Sequence, residues 1–500
     1  MKKIVSLLFL TVLISVNLNA QMSGAKIGSF DNFCDIGAPE IPGTANFGEP
    51  SQVYYLSGSG SNIWFGMDSF SFLTRKMNGD FILQTRVRFI GEGHELHRKS
   101  GLMIRKSTAS NSPVVACTVH GDGLTSLQYR VAPGDTMKEI KFTIKGPDVL
   151  QLEKKGNTYT MSVAHFGEVY QSEKIENLDL GADLLAGLFV CSHNNKFSEA
   201  VEFRNSRVFN TVPDDMVQYK SYLGSLLEVM DITTGQRQVL ASAAGSWQAP
   251  NWTPDGKTLI YNTSGKLYNF DLNTRESTVL NTDFVNKNNN DHVLTFDGKQ
   301  MGLSSSADEN KGQSVVYTVP VTGGIPKKIT TNSPSYFHGW SPDSQFLVFT
   351  GERNGDFDIY KISKDGGKEI RLTEAKGLDD GCEFSPDGKY IYFCSTRTGN
   401  MQVWRMDPDG KNQTQLTFDG MNNWFPHVSP DNKWLVFITF SKEVPANQHP
   451  FYKRVYLRIM PVNGGEIRTI AYLYGGQGTI NVPSWSPDSK KIAFVSNGNF

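Results

Sequence analysis

The chain has 500 residues, enough for two or three domains of ordinary size, and its charges nearly cancel, with a formal net charge of -1 at pH 7. A nucleic-acid backbone is held by a basic surface, so this charge balance argues against nucleic-acid binding. The five cysteines are scattered and odd in number, which predicts neither a disulfide framework nor a metal motif.

The first 20 residues predict a secretory signal peptide. Lys2 and Lys3 precede an apolar run over residues 4–16, and Ala20 is the small residue expected before cleavage at Gln21. The run is too short to cross a bilayer, and no other stretch is long and apolar enough to do so. We therefore expect an exported protein without a membrane span, in the periplasm or outside the cell.

Residues 21–210 predict a β-sandwich. Short runs with a period of two, such as residues 81–89 and 184–191, alternate with turns, and no helical pattern is convincing. The order of residues 64–70, 78–81 and 99–105 resembles the concanavalin-like (laminin-G-like) jelly rolls attached to secreted carbohydrate-active proteins. That resemblance implies a glycan-binding module. A polar, proline-containing linker follows at residues 211–217.

Residues 218–500 carry a repeat that predicts a six-bladed β-propeller, which makes the whole fold all-β. Turns of the Trp-Ser-Pro-Asp type recur every 42 to 57 residues, and a strand-rich unit of about that period is typical of a propeller blade. The first unit lacks inner strands and the last lacks outer ones, so we expect residues 481–496 to close the ring with strands near Leu226 and Val239. The repeated aspartates are Asp255, Asp297, Asp343, Asp387, Asp431 and Asp488.

The repeat resembles the TolB-like family, whose six-bladed propellers carry the same turns. The resemblance implies a periplasmic interaction platform with a protein partner. The turns themselves are structural, because Pro presets the turn dihedral while Asp and Gly tolerate its tight backbone. Functional residues are therefore expected on the opposite face, in the connections that enter each first strand or join second to third strands.

Several polar residues fall on that opposite face. A single histidine near a strand start is more often structural, but three on one rim, with carboxylates and arginines, favour one site. Trp424 is out of phase with Trp252, Trp340 and Trp485, which are predicted blade core, and is a candidate to stack on a sugar ring. The set comprises His292, His338, His427, Asp380, Glu383, Gln477, Arg353, Arg397, Asn290 and Asn423.

A rim of histidine, arginine and amide groups favours β-elimination from a uronic acid, in which a cation stabilises the enediolate while a base removes the C5 proton. Imidazole suits the base because its pKa lies near neutrality. The site type resembles that of oligogalacturonate lyases, which place several His and a Gln around a divalent metal.

On that resemblance each candidate receives a role. His338, His427 and Gln477 are predicted ligands of a divalent ion (Mn, Ca or Zn), and His292 is the predicted base. Arg397 is expected to bind the uronate carboxylate, and Asp380 is counted with the catalytic residues and expected to contact sugar hydroxyls. The predicted sugar-binding residues are Trp424, Asn290, Glu383, Arg353 and Asn423.

Three other functions remain open at this stage. A hydroxyl leaving group would make the enzyme a dehydratase rather than a lyase of acidic oligosaccharides or polysaccharides. The rim carboxylates would also serve a glycoside hydrolase. A non-catalytic TolB-like platform beside a glycan-binding jelly roll needs only a broad exposed surface, whereas an enzyme needs convergent titratable groups in a concavity.

Overall fold

The computed structural model describes residues 26–353 and 355–498, so the predicted signal peptide lies outside the described residues. Within these ranges the regular elements are β-strands, apart from one 3₁₀ turn at Asp308–Asn310. In the same ranges, no helix is long and apolar enough to cross a membrane. The predicted all-β class is confirmed.

The first half of the chain forms two seven-stranded antiparallel sheets. The first sheet contains, in spatial order, β1 (Asn32–Ile36), β4 (Phe70–Met77), β13 (Leu184–Cys191), β6 (Lys99–Arg105), β7 (Val114–His120), β8 (Thr125–Arg130) and β9 (Lys138–Lys141). The second contains β12 (Gln171–Ile175), β11 (Thr158–Ala164), β10 (Val149–Lys155), β5 (Phe81–Ile90), β14 (Glu199–Asn210), β3 (Val53–Gly58) and β2 (Thr44–Gly48).

The two sheets share one apolar core. Leu102 and Leu188 reach it from the first sheet, and Leu83 and Leu152 from the second. Full burial of each such side chain stabilises the fold by about 1.5–3 kcal/mol. This arrangement agrees with a two-layer domain, while its specific jelly-roll topology stays a prediction.

The second half forms six blades, as the repeat predicts. Five are four-stranded antiparallel sheets, and the sixth combines both ends of the propeller sequence. In chain order the complete blades are β17 (Gln248–Trp252), β18 (Thr258–Thr263), β19 (Lys266–Asp271), β20 (Ser277–Val279); β21 (Asn288–Leu294), β22 (Gln300–Ser306), β23 (Ser314–Pro320), β24 (Lys327–Lys328); β25 (Ser335–Trp340), β26 (Phe346–Arg353), β27 (Asp356–Ser363), β28 (Ile370–Arg371); β29 (Asp379–Phe384), β30 (Ile391–Thr398), β31 (Asn400–Met406), β32 (Thr414–Gln415); and β33 (Asn422–Val428), β34 (Trp434–Phe440), β35 (Lys453–Pro461), β36 (Arg468–Gly475).

The repeated turns are closed by local side-chain hydrogen bonds. Ser341 Oγ donates to Asp343 Oδ1 at 2.5 Å and accepts from the Phe346 backbone N–H at 2.9 Å. Because such bonds satisfy the turn backbone without distant partners, a short motif is enough to specify the turn. Equivalent pairs join Thr253 to Asp255, Thr295 to Asp297, Ser385 to Asp387, Ser429 to Asp431 and Ser486 to Asp488.

The sixth blade closes the ring in the way the sequence predicts. It contains β37 (Lys491–Asn497), β15 (Ser225–Asp231) and β16 (Arg237–Ala243), in that order from the inside. Ser496 lies opposite Leu226, and Trp485 forms an inner bridge with Ile492. Closure gives the inner edge of β15 a partner and so removes an exposed sheet edge.

A buried carboxylate connects the closing blade to the first domain. Glu228, on β15, is fully buried and accepts hydrogen bonds from Arg237 on β16 at 2.6 Å and Arg207 on β14 at 2.7 Å. Ser496, on β37, donates to the same carboxylate at 2.5 Å. Burial alone would raise the pKa of Glu228, but the two guanidinium groups more than offset burial and lower it to about 2.

We expect deletion of residues 479–500 to leave a protein that is insoluble or melts at a clearly lower temperature, because the inner edge of β15 would be exposed. Solubility and thermal unfolding by circular dichroism measure the effect. Deletion of residues 499–500 alone is the matched control. An unchanged melting curve for the longer deletion would contradict the closure mechanism.

We expect Glu228→Gln to lower the free energy of unfolding by about 3–5 kcal/mol, because it leaves buried guanidinium groups without their counter-charge. Denaturant unfolding checks the value, with Glu309→Gln, an exposed Glu, as the control. Because the pKa of Glu228 falls from 4.5 to about 2 in the folded protein, its contribution should persist above pH 4.5 and be lost as the pH falls through about 2. A wild-type and mutant difference that is constant down to pH 2 would contradict this.

Candidate functional site

A cavity of about 560 Å³ opens at the end of the propeller opposite the Ser-Pro-Asp turns. It is lined by residues at the beginnings of innermost strands β21, β25 and β29 and at the ends of second strands β18, β22 and β26. Tyr219 and Tyr222, from the segment that connects the two domains, form part of its wall, and the Tyr219 ring packs edge-on against Phe451 with centroids 5.1 Å apart.

The opposite end of the propeller has a smaller and more apolar cavity of about 260 Å³. Trp252, Trp340 and Trp485 line it together with prolines of the repeated turns. Trp340 and Trp485 donate hydrogen bonds to carbonyl groups of neighbouring blades, which accounts for their recurrence as structural residues.

The innermost strands are bulged at corresponding positions, and these bulges position the cavity residues. In the third blade Phe337 lies opposite Phe349 and Gly339 opposite Val348, so His338 is the extra, unpaired residue. In the fourth blade the register shifts between Asp380 and Glu383. Bulges re-aim side chains at sheet rims, and here they occur where strands reach the channel.

Asp291, His338 and Asp380, from three successive blades, converge in the cavity. His338 Nε2 lies 3.0 Å from Asp380 Oδ1, although the pair lacks hydrogen-bond alignment. Asp380 Oδ1 also accepts hydrogen bonds from Thr350 Oγ1 and the Gly381 N–H, both at 2.8 Å. His338 therefore lies beside Asp380 in the cavity, and Asp291 lines the same cavity.

These three groups shift each other's proton affinity in different directions. Burial, reinforced by Asp380, raises the pKa of Asp291 to about 6 despite the opposing effect of His338. Burial alone would lower the pKa of His338, but Asp380 and Asp291 more than offset it and raise that pKa. Burial would likewise raise the pKa of Asp380, yet His338 holds it below the usual value. Asp291 thus tends to keep its proton, whereas Asp380 stays ionised.

His449 lines the same cavity and was not predicted. The Gly478 N–H donates to Asn481 Oδ1 at 2.8 Å, so Asn481 Nδ2 donates to Gln477 Oε1 at 3.0 Å. Gln477 Oε1 must then accept from His449 Nδ1, 2.6 Å away. Burial lowers the pKa of His449, and its neutral form therefore carries the proton on Nδ1 and a lone pair on Nε2.

Two of the three predicted histidines lie outside the cavity. His292 is fully buried within the blades, where Nε2 lies 3.2 Å from the Ile260 carbonyl oxygen, and burial lowers its pKa to about 4. His427 contacts Glu383 through Nδ1 at 2.6 Å and the Ile480 carbonyl oxygen through Nε2 at 2.8 Å. Both ring nitrogens of His427 are occupied, which leaves no lone pair for a metal ion. Only His338 of this set reaches the cavity.

The two predicted arginines are largely buried and form ion pairs with acidic partners. Arg353 forms two 3.0 Å hydrogen bonds with Glu369. Arg397 pairs with Asp379 at 2.7 Å, and its guanidinium group lies 4.8 Å from the Trp404 ring centroid. Neither side chain lines the cavity, so the structure does not place Arg397 where it would bind a uronate carboxylate.

Of the predicted sugar-binding residues, some line the cavity and others are buried within the blades. Asn290 lines the cavity, as does Gln477, which was predicted as a metal ligand, and Asn290 Nδ2 has no hydrogen-bond partner among the described residues. Trp424 is fully buried in the apolar core of the blades, which leaves no exposed ring face for stacking. Asn423 is also buried, and its Oδ1 accepts a hydrogen bond from Thr439 Oγ1 at 2.8 Å. The Glu383 carboxyl group is hydrogen-bonded to His427.

A metal centre is not formed by the predicted ligands, because His427 lies away from His338 and Gln477. Within residues 26–353 and 355–498, no group of three or more His, Cys, Asp or Glu side chains is arranged to hold a metal ion. The divalent ion therefore stays a prediction from the sequence.

Comparison with known proteins identifies the propeller. Residues 333–454 match the family model of the TolB beta propeller domain. The chain is 41% identical over 272 residues to the uncharacterized protein Atu1656 of Agrobacterium fabrum, an alignment that covers 54% of this chain and 92% of that protein. A solved structure from Agrobacterium tumefaciens, of a protein provisionally named TolB, has a TM-score of 0.54 and 39% identity over 56% of this chain and all of its own.

The chain belongs to the TolB-like β-propeller family. The structure of an oligogalacturonate lyase in complex with manganese is a more distant neighbour of this TolB-like chain, with 16% identity, a TM-score of 0.39, and coverage of 56% of this chain and 89% of its own. That likeness is one of fold.

We expect His427→Ala to lower the free energy of unfolding of the TolB-like chain by about 1–3 kcal/mol, because it removes partners from the buried Glu383 carboxyl and Ile480 carbonyl groups. Denaturant unfolding measures the change. His165→Ala, at an exposed position of the first domain, should leave stability within about 0.5 kcal/mol. A His427 variant as stable as this control would contradict the structural role.

Proposed function

We propose that the TolB-like chain is a carbohydrate-active enzyme that cleaves glycosidic bonds in the cavity at the propeller mouth. The observation that supports this most directly is that Asp291 and Asp380 line one cavity together with His338, with the pKa of Asp291 raised and that of Asp380 lowered. Hydrolysis of a glycosidic bond needs such a pair, one acid and one ionised carboxylate.

Asp291 is the proposed general acid, because its raised pKa of about 6 keeps it protonated in mildly acidic solution. It would protonate the leaving glycosidic oxygen. Asp380 is the proposed base or nucleophile, since it stays ionised beside His338. His338 stabilises the ionised form of Asp380 while Asp291 donates its proton.

The cavity wall suits a sugar. Within the described residues Asn290 Nδ2 is an unused donor and Asn288 Oδ1 an unused acceptor for hydroxyl groups. The rings of Tyr219 and Tyr336 offer apolar surfaces for a pyranose face. Pockets that combine aromatic walls with a few polar groups are typical of small-molecule sites. A neutral saccharide segment is favoured, because neither Arg353 nor Arg397 faces the cavity.

β-Elimination from a uronic acid is the second candidate, and His449 favours it. Its neutral imidazole, oriented by Gln477, would supply a base for the C5 proton, and the His338 imidazolium would face the uronate carboxylate. We rank it second because the two cationic groups at the cavity already have anionic partners. His338 interacts with Asp380, and Lys287 pairs with Asp308 at 2.6 Å.

The signal-peptide pattern leads us to propose that this enzyme acts on glycans in the periplasm or outside the cell. The non-catalytic TolB-like platform, with a protein partner, is the outcome to expect if no saccharide is turned over.

We expect Asp291→Asn to lower kcat on a cleaved oligosaccharide by about 10²–10⁴-fold, because the amide cannot donate a proton as an acid does. The assay uses purified protein with neutral and acidic oligosaccharides and measures new reducing ends together with the ultraviolet absorbance of unsaturated uronates. Asp283→Asn, at an exposed position with a left-handed backbone that Asn tolerates, is the matched control.

The outcomes separate the candidates. Reducing ends without the unsaturated product support hydrolysis, and the unsaturated product with loss of activity in His449→Ala supports elimination. Full activity in folded Asp291→Asn would contradict the acid role, and no turnover of any saccharide would favour the platform.

We also expect kcat/KM for hydrolysis to fall as the pH rises through about 6, because Asp291 must be protonated to act and its pKa is about 6. On the acid side, activity should fall only below the lowered pKa of Asp380. A pH–rate profile measures both limbs. A profile that stays flat from pH 5 to 8 would contradict the assignment of Asp291.

A further inference from the structure

A second group of chemically active side chains lies on the first domain, far along the chain from the propeller cavity. We define this basic cluster as His97, Lys99, His120 and His193. Lys99 on β6 lies directly opposite His120 on β7, and directly paired residues of antiparallel strands share one face. The ring centroid of His97 is 6.1 Å from that of His120 and 5.6 Å from that of His193.

Lys99 is a buried basic side chain that forms no ion pair with a carboxylate of the described residues. Its side chain is almost fully buried, and Nζ donates to two neutral oxygens, Asn62 Oδ1 at 3.0 Å and the Ile63 carbonyl at 3.4 Å. By contrast, buried Arg105 and Arg130 pair with Asp68. A buried charge without a counter-charge is costly, so an ammonium group in this position indicates a ligand that supplies negative charge.

Hydrogen-bonding capacity also remains unused on this face. His120 Nδ1, Thr118 Oγ1 and Gln128 Oε1 are buried atoms with no hydrogen-bond partner in residues 26–353 and 355–498. All three side chains are at most 6% exposed, and the strand pairing places them on the same side of β7 and β8. Buried polar groups are normally satisfied by protein, water or ligand.

The neighbouring carboxylates already have partners. Glu139, on β9, accepts from Gln128 at 3.1 Å and lies 3.5 Å from Lys141. Glu95 accepts from Asn194 at 2.9 Å, and Asp122 accepts from the Leu124 N–H at 2.9 Å. None of them forms an ion pair with Lys99.

The cluster is accessible at one side and bordered by an aromatic ring. His97 is exposed, and His193 and Trp64 are half-buried. Lys99 Nζ lies 6.0 Å from the centre of the Trp64 ring. His193 adopts a left-handed backbone conformation with a φ of 63°, which histidine tolerates better than most residues.

We propose that the basic cluster binds the anionic group of an acidic sugar, either a carboxylate or a sulfate ester. Lys99 provides the charge, His97, His120 and His193 provide hydrogen bonds, and Trp64 packs against the sugar ring. This site is separate from the propeller cavity and does not depend on catalysis there.

Isothermal titration calorimetry on the full-length protein tests the site with D-glucuronate, inorganic sulfate and neutral D-glucose. We expect glucuronate to bind and glucose not to bind, with affinity that weakens as salt increases. Parallel binding of sulfate would show that either anion is accepted, and its absence would assign the site to carboxylates. Lys99→Met should weaken binding by about tenfold or more, because it removes a charged hydrogen-bond donor while keeping the length of the side chain.

Two controls make the result specific. Lys138→Met, an exposed lysine on β9 of the same sheet, should bind as the wild type does, and so should His338→Ala in the propeller. Should Lys99→Met fail to fold, exposed His97→Asn replaces it, with an expected weakening of about threefold or more. Unchanged affinity in a folded Lys99 variant, loss of binding in the His338 variant instead, or no binding of either anion would overturn the proposal.

Discussion

The structure depends on one buried carboxylate. Glu228 accepts hydrogen bonds from β16 of its own blade, from β37 at the other end of the propeller sequence and from β14 of the first domain. A buried ion of this kind is stable only when all its partners are in place. Ring closure and domain docking are therefore coupled through one buried ion, and the loss of any of these segments would remove a partner from it.

The turns and the blades follow from local chemistry, which is why the sequence predicts them well. The Ser341–Asp343 hydrogen bond needs only three neighbouring residues, and the same motif specifies each blade. The cavity is different, because His338 reaches it through a bulge that makes it an unpaired residue. A bulge depends on the partner strand and breaks the alternation of faces, so a period-two pattern cannot assign His292, His338 and His427 to core or channel.

The same limit explains the other differences at the site. Arg353 and Arg397 lie at the ends of β26 and β30 rather than in the predicted connections, and they pair with Glu369 and Asp379. Those contacts depend on how adjacent strands pair. His449 lies in an equivalent connection of the fifth blade, which is longer than its counterparts. A long connection on a functional rim is a usable signal. The orientation of the His449 ring by Gln477 and Asn481, by contrast, depends on contacts between segments that a sequence pattern does not show.

Tyr219 and Tyr222 give the connecting segment a place in the cavity wall. A segment that would otherwise be a spacer thus contributes to both the junction and the recognition surface. The boundary between the domains is consequently not a neutral site for recombination. A propeller joined to a different first domain at residue 224 would lose both tyrosines from its cavity wall and Arg207 from the Glu228 site. Exchange of the leading domain would therefore alter the recognition surface and the stability of the closing blade together.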